Sequence, residues 1–206
     1  MNSPVRILLV EDHALVREAL HMRLSAEWDF EIVGQAADLR EAEELLEKLA
    51  PDVVLLDFVL GEGDPLHVIS HWNERFFPVR VVMLTASHNG EVAHRALQSG
   101  AAGFVCKTDS VVELVGAIRK AVQGGTGLTP TVQDMLDAVR LSELTDREIQ
   151  ALRLIAAGKG TKEMAAILRI SVKTADRHRE NIKKKLRVDN GAALMREAML
   201  RFPGES

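Results

Sequence analysis

The sequence predicts a two-part molecule, an α/β doubly wound parallel sheet followed by a small all-α domain. Three observations lead there. Short apolar runs alternate with amphipathic segments through the first 123 residues. The stretch "GGTGLTPT" (Gly124–Thr131) then packs three glycines and a proline into eight residues, a composition that marks a boundary. Beyond it the apolar period is helical throughout.

The elements follow in order. "VRILLV" (Val5–Val10) has the near-continuous apolar pattern of a strand buried on both faces. His13–Ala26 carries Leu15, Ala19, Leu20, Met22 and Leu24 at helical spacing. "FEIVGQA" reads as a second strand. Asp38 can cap the helix "LREAEELLEKLA", whose Leu39, Ala42, Leu45, Leu46 and Leu49 form one stripe before Pro51 ends it. Then come the strand "DVVLLD", a helix near 66–76, the strand "VRVVMLT", a helix near 89–99, the short strand "GFVCK" and a helix near 110–123. Five βα units of this kind imply a parallel sheet covered on both sides. After the boundary, "VQDMLDAVR" suits a short linker helix. Four helices are expected at 146–157, 161–168, 172–186 and 190–200, with Gly158 closing the first and Ser171 capping the third.

Composition narrows the class. Among 206 residues, 47% are hydrophobic and 27% charged, as in ordinary globular protein. The single cysteine, Cys106, excludes an intramolecular disulfide or a multi-cysteine zinc site and suits a reducing cytoplasm. No window approaches a membrane span, and "MNSPVRILLVED" lacks the apolar core of a signal peptide. Net charge is divided unevenly. Residues 1–142 hold 12 Lys and Arg against 21 Asp and Glu, a net of −9; residues 143–206 hold 14 against 9, a net of +5. An acidic first part and a basic last part suggest different partners, with nucleic acid the candidate for the second.

In a doubly wound sheet, ligands bind at the carboxyl ends of the strands. Glu11 and Asp12 follow the first strand, Asp57 ends the third, Thr85 ends the fourth and Lys107 ends the fifth. All five therefore converge on one crevice. Clustered carboxylates with hard oxygen atoms suit Mg²⁺. A carboxylate can also attack phosphorus to form an acyl phosphate, with Lys107 offering a positive charge and Thr85 a hydroxyl to the transferred group. His13, beside the acidic pair, reads as solvent-facing at the start of a helix, and Cys106 as a small buried hydrophobe.

Residues 5–123 resemble a response-regulator receiver domain: "LLVEDH" resembles its acidic pair, "VVLLD" its phosphoacceptor strand, "VVMLTA" its Thr/Ser strand and "GFVCK" its lysine strand. From Leu144 to Leu200 the chain resembles a LuxR-type DNA-binding domain, on the pattern "LTDRE…G…KEMA…IS…T…H…I…KL". Together they resemble the NarL/FixJ class of two-component regulators. The resemblance implies a flavodoxin-like (βα)5 receiver at 1–123, a linker at 124–142 and a four-helix helix-turn-helix domain at 143–206. It implies Mg²⁺ at Glu11, Asp12, Asp57 and the Val59 carbonyl, phosphate on Asp57, and Thr85 and Lys107 holding it. Phe104, three residues before the lysine, falls at the family's aromatic switch position. Gly61–Glu62–Gly63 departs from the family, which commonly has a proline four residues after the phosphoacceptor.

In the basic half, "TKEMAAILRISVKTADRHRENIKKKL" reads as two helices joined by a short turn. Val172, Ala175, Ile182 and Leu186 form an inward stripe, and Lys173, Asp176, Arg177, Glu180 and Lys184 lie opposite. Arg177 can pair with a guanine, and Asp176 or Glu180 can accept from cytosine. Lys173, Thr174, Arg179, Lys183 and Lys184 suit phosphates, and His178 lies near the edge of that face. The alanine at 175, where the family usually has valine, is expected to loosen the packing beneath this helix. Leu194 and Ala198 on the last helix either finish the small core or, as the resemblance implies, pair two copies.

The function expected is a cytoplasmic, phosphorylation-controlled transcriptional regulator, not an enzyme. Its expected partners are a sensor histidine kinase and double-stranded DNA, bound as a homodimer, with no membrane contact. The alternative is a DNA-binding regulator with an atypical or phosphorylation-independent receiver. An aspartate-nucleophile phosphatase is disfavoured, because Val59 stands where a second acid/base carboxylate would be needed.

Overall fold

A computed structural model of the chain describes residues 3–61, 64–76 and 79–202. The chain divides into two compact units, Met1–Leu136 and Asp137–Ser206.

The first unit is built on strands β1 (Val5–Val10), β2 (Phe30–Ala36), β3 (Val53–Asp57), β4 (Arg80–Thr85), β5 (Gly103–Cys106) and β6 (Gly127–Leu128). All pairings are parallel, in the order β2-β1-β3-β4-β5-β6. The order reverses between β1 and β3, which opens the crevice at their carboxyl ends. Helices α1 (Ala14–Leu24), α2 (Leu39–Leu49), α3 (Pro65–Arg75), α4 (Gly90–Gln98) and α5 (Val111–Val122) connect the strands. Alternate strand residues feed two cores, as the period of two demands. Leu8, Val10, Val54, Leu56 and Met83 pack with Ala42, Leu46, Ile69 and Trp72 of α2 and α3. Ile7, Leu9, Val53, Leu55 and Leu84 pack with Leu24 of α1 and Leu114–Ala121 of α5.

The expected helix starts are present. Asp38 accepts from the Glu41 N–H at 2.7 Å, and Ser110 with Glu113 forms a reciprocal capping box on α5. The apolar stripe expected on α1 is only partly inward: Leu15 and Met22 face solvent, whereas Leu24 is buried.

The sixth strand lies inside the stretch read from sequence as a boundary and linker. Its two residues pair with Gly103 and Phe104 of β5. Gly103 and Gly127 serve close approach, whereas Gly124, at φ 84°, turns the chain. A Cβ on Gly103 would come within 2.6 Å of the Gly127 carbonyl oxygen, and one on Gly127 within 2.1 Å of the Ala117 carbonyl oxygen. Helix α6 (Pro130–Ser142) follows. Its Val132 and Leu136 are buried in the first unit's core with Phe104 and Cys106.

The second unit is helical: α7 (Asp146–Ala156), α8 (Thr161–Leu168), α9 (Val172–Leu186) and α10 (Gly191–Arg201). Gly158, at φ 74°, closes α7, and the Ser171 hydroxyl accepts from the Thr174 N–H at the start of α9. Its core gathers Leu152, Ile155, Met164, Ala175, Ile182, Leu186, Leu194 and Ala198.

Candidate functional site

The sheet's hydrogen-bond ladder places each group of the crevice. Glu11 leaves β1 while its N–H still donates to the Ala36 carbonyl of β2, 3.1 Å away. The Arg17 guanidinium on α1 donates to the Glu11 carbonyl oxygen at 2.5 Å and fixes the turn behind the acidic pair. Asp57 ends β3, and the next N–H, of Phe58, donates to the Leu84 carbonyl of β4 at 2.7 Å. Thr85 ends β4, and its carbonyl accepts from the Lys107 N–H at 2.7 Å. The five groups thus stand on four adjacent strand ends.

Their electrostatics are tightly coupled. Glu11 and Asp57 are each 1% exposed. The Lys107 ammonium lies 2.7 Å from Glu11 Oε2 and 2.9 Å from Asp57 Oδ2. These are close ion pairs rather than directed hydrogen bonds, since neither oxygen has a donor aligned on it. Burial raises the Asp57 carboxyl above the ordinary aspartate range; Lys107 opposes that and Glu11 reinforces it, while the Val59 N–H bond also opposes it. For Lys107, burial lowers the ammonium's affinity for its proton, but the Glu11 and Asp57 carboxylates more than reverse the effect and leave it raised.

The donor set fits a hard divalent cation. Ligand atoms of Glu11, Asp12, His13 and Asp57 all lie within 4.8 Å of one another, and two of the carboxylate oxygens are buried without an aligned donor. These are the oxygen ligands Mg²⁺ takes. His13 is 69% exposed, as expected, yet its Nδ1 also lies 2.7 Å from Asp12 Oδ1 and 3.2 Å from Glu11 Oε1.

The remaining expected residues are placed as follows. Thr85 is fully buried. Its hydroxyl accepts from the Ser87 N–H at 3.0 Å and keeps its own hydrogen to donate. Phe104 is buried in mid-β5, paired with Met83 on one side and Leu128 on the other. Val59 is exposed at the mouth. Cys106 is buried, and burial pushes its thiol up. Gly61 is exposed; Glu62 and Gly63 lie outside the described residues.

On α9 the expected outward face is present: Lys173, Asp176, Arg177, Glu180 and Lys184 are exposed, and Thr174, His178, Arg179 and Lys183 are half-buried at its margins. Thr174 shares its hydroxyl with Ser171 at 2.8 Å, and Glu180 pairs with Lys183 at 2.7 Å, so both have local roles as well. Val172 departs from the expected inward stripe and is 45% exposed, because it sits in the first turn, ahead of the core. Ala175 is completely buried. Leu194 and Ala198 are also completely buried in this unit's own core. Of the two readings of these residues, their burial matches the completion of the small core; the large exposed apolar residues of α10 are Met199 and Leu200.

Sequence reasoning missed two supporting groups. Lys185 reaches buried Glu148 at 2.6 Å and the Glu143 carbonyl at 2.9 Å, fastening the end of α9 to α7. Asp109 accepts from the Cys106 N–H at 2.9 Å and from the Thr129 hydroxyl at 2.6 Å. Nothing in "KTDS" signals the second bond, which spans 20 residues.

Comparison with known proteins agrees with this layout. Residues 7–119 match the response regulator receiver domain, and residues 142–198 match the bacterial regulatory proteins of the luxR family. The chain is 35% identical over 199 residues to the transcriptional regulatory protein MctR of Rhizobium johnstonii, covering 95% of this chain and 93% of that protein. It is 32% identical over 192 residues to the response regulator protein VraR of Staphylococcus epidermidis, covering 90% and 92%. A solved two-component response regulator of the LuxR family from Aurantimonas sp. aligns with TM-score 0.64 at 29% identity, covering 68% of this chain and 99% of that one. The chain therefore belongs to the response regulators, joining a receiver domain to a LuxR-type DNA-binding domain.

Proposed function

We propose that Asp57 accepts a phosphoryl group from the phosphohistidine of a sensor kinase, and that this transfer controls DNA binding through α9. The observation that carries the reading is the Lys107 ammonium held 2.9 Å from Asp57 Oδ2 and 2.7 Å from Glu11 Oε2. A cation is already aimed at the place where phosphate charge would arrive.

An Asp57 oxygen attacks phosphorus as the P–N bond of the donor breaks; the bond pair stays on the imidazole nitrogen, and an acyl phosphate forms. Glu11, Asp12, Asp57 and the Val59 carbonyl would hold Mg²⁺, which supplies neutralisation of charge between nucleophile and phosphoryl group. Lys107 moves from carboxylate to phosphate oxygens, Thr85 donates its hydroxyl hydrogen to the same group, and Phe104 repacks behind it. Residues 1–123 act as the receiver together with β6 and the first half of α6, up to Leu136, and residues 143–206 act as the DNA-binding domain.

On DNA, the α9 face enters the major groove. Arg177 addresses a guanine, and Asp176 or Glu180 a cytosine. Lys173, Thr174, His178, Arg179, Lys183 and Lys184 contact the backbone. One short helix reads few base pairs, so two copies on paired half-sites supply the remaining specificity. Among the described residues no helix is long and apolar enough to cross a membrane, and we place the protein in the cytoplasm.

The test is phosphorylation by acetyl phosphate with Mg²⁺, followed by binding-site selection. Wild type is expected to gain acid-labile phosphate and to change its operator affinity. If Asp57→Ala responds as wild type does, the phospho-switch reading fails and DNA binding stands alone.

A further inference from the structure

One carboxylate bridges the crevice and the start of α6. Asp109 Oδ2 accepts two hydrogen bonds, one from the backbone N–H of Cys106 and one from the Thr129 hydroxyl. Cys106 is the residue immediately before Lys107. Thr129 is the residue immediately before α6, and its carbonyl accepts from the Gln133 N–H in the helix's first turn. The Asp109 N–H in turn donates to the Cys106 carbonyl at 2.9 Å, so the turn carrying Lys107 is closed on itself. Thr129 is 1% exposed; a buried hydroxyl with its donor satisfied by a carboxylate does not exchange that partner for water without cost.

Two further links run beside the bridge. Phe104 pairs with Leu128 across β5 and β6, and the Cys106 sulfur lies 3.8 Å from that of Met135 on α6. Val132 and Leu136 fill the same core as Phe104 and Cys106. The segment that carries Lys107 is therefore fastened to α6 through backbone, hydrogen bond and packing together. Packed contacts of this kind shift between discrete arrangements rather than bending continuously.

We propose that the Asp109–Thr129 bridge is the coupling device of this receiver, transmitting the movement of Lys107 to the first turn of α6. Asp109 is a positioning residue that acts through the Lys107 turn. The proposal rests on Asp57 being the phosphoacceptor. Phosphate on Asp57 draws Lys107 away from Glu11, the Cys106–Asp109 turn follows, and the Thr129 bond either shifts with it or breaks. In both cases the N-terminus of α6 loses or alters one of its anchors.

Hydrogen exchange of residues 127–142 in the full chain, with and without acetyl phosphate and Mg²⁺, tests this, with phosphate on Asp57 quantified in parallel. In wild type, phosphorylation is expected to change exchange in this segment by about fivefold or more. Thr129→Val should take up phosphate to the same extent and lose most of that change, and Thr129→Ser should restore it. A purely structural bond would lower stability equally in both states and leave the response intact. A Thr129→Val response equal to wild type overturns the proposal. So does a phosphorylated wild type whose segment 127–142 does not respond, an outcome that needs no variant to fold. A wild type that takes up no phosphate overturns the reading of Asp57, and the proposal with it.

Discussion

Asp57 is a carboxylate kept where its charge is costly. Its proton affinity is raised mainly by burial, so the folded state binds the proton more tightly than the unfolded chain does. The sign follows directly: stability falls as pH rises from near the ordinary aspartate pKa through the raised one, and the penalty is complete above it. Asp57→Asn should therefore stabilise the metal-free protein at neutral pH, because it removes the charge that burial disfavours. That gain should vanish below about pH 4. Urea unfolding of both proteins at the two pH values measures it. Lys107 behaves oppositely. Removing its ammonium leaves Glu11 and Asp57 facing each other, and Lys107→Ala should cost about 3 kcal/mol in the absence of divalent cation, a loss that added Mg²⁺ should partly restore.

At the scale of elements, two contacts carry more than their length suggests. Glu148 caps α7 with Thr145 and receives Lys185 from the end of α9. Burial pushes its carboxyl up, but Lys185 and the Thr145 bonds more than reverse this and hold it below the ordinary range. Its contribution is present above the unfolded pKa and is lost as pH falls through the folded one. Glu148→Gln should destabilise the helical unit by about 1–3 kcal/mol at pH 7, with the difference closing in acid. In the sheet, Gly127→Ala would drive a methyl into the Ala117 carbonyl. It should cost about 1–3 kcal/mol as an overpacked site, read as a lower melting temperature of the first unit. Both elements show what the sequence could express. Strands β1, β3, β4 and β5 were legible because burial on both faces makes them continuous apolar runs, and the crevice residues because they stand at the ends of those runs. Strand β6 was not, because two residues between threonines carry no period, and Gly127 with the nearby Gly124 and Gly125 mimics a turn. The outward-facing Leu15 and Met22 misled the reading of α1, since spacing reports a stripe but not what covers it. The burial of Leu194 and Ala198 was open for the same reason.

Across the whole molecule the charges are segregated, −9 over residues 1–142 and +5 over 143–206. The excess cation of the second half is concentrated on α9, where exposed Lys173, Arg177 and Lys184 share one face. Lys184→Ala should weaken binding to every sequence alike and reduce the slope of log affinity against log salt by about 1. Arg177→Ala should cost about 1–3 kcal/mol at the preferred site only, relaxing sequence choice in a selection experiment.

The pairing of β6 with β5 also decides where this chain can be cut. A fragment ending at Gln123 would appear complete by the (βα)5 pattern, yet it would strip the outer neighbour from Gly103 and Phe104 and uncover the core that Val132 and Leu136 close. Such an unprotected border invites edge-to-edge pairing between copies. Constructing fusions or isolated receivers from this protein therefore calls for a junction after Leu136, where the first compact unit ends. Fragments ending at Gln123 should self-associate in light scattering, whereas those ending at Leu136 should remain dispersed.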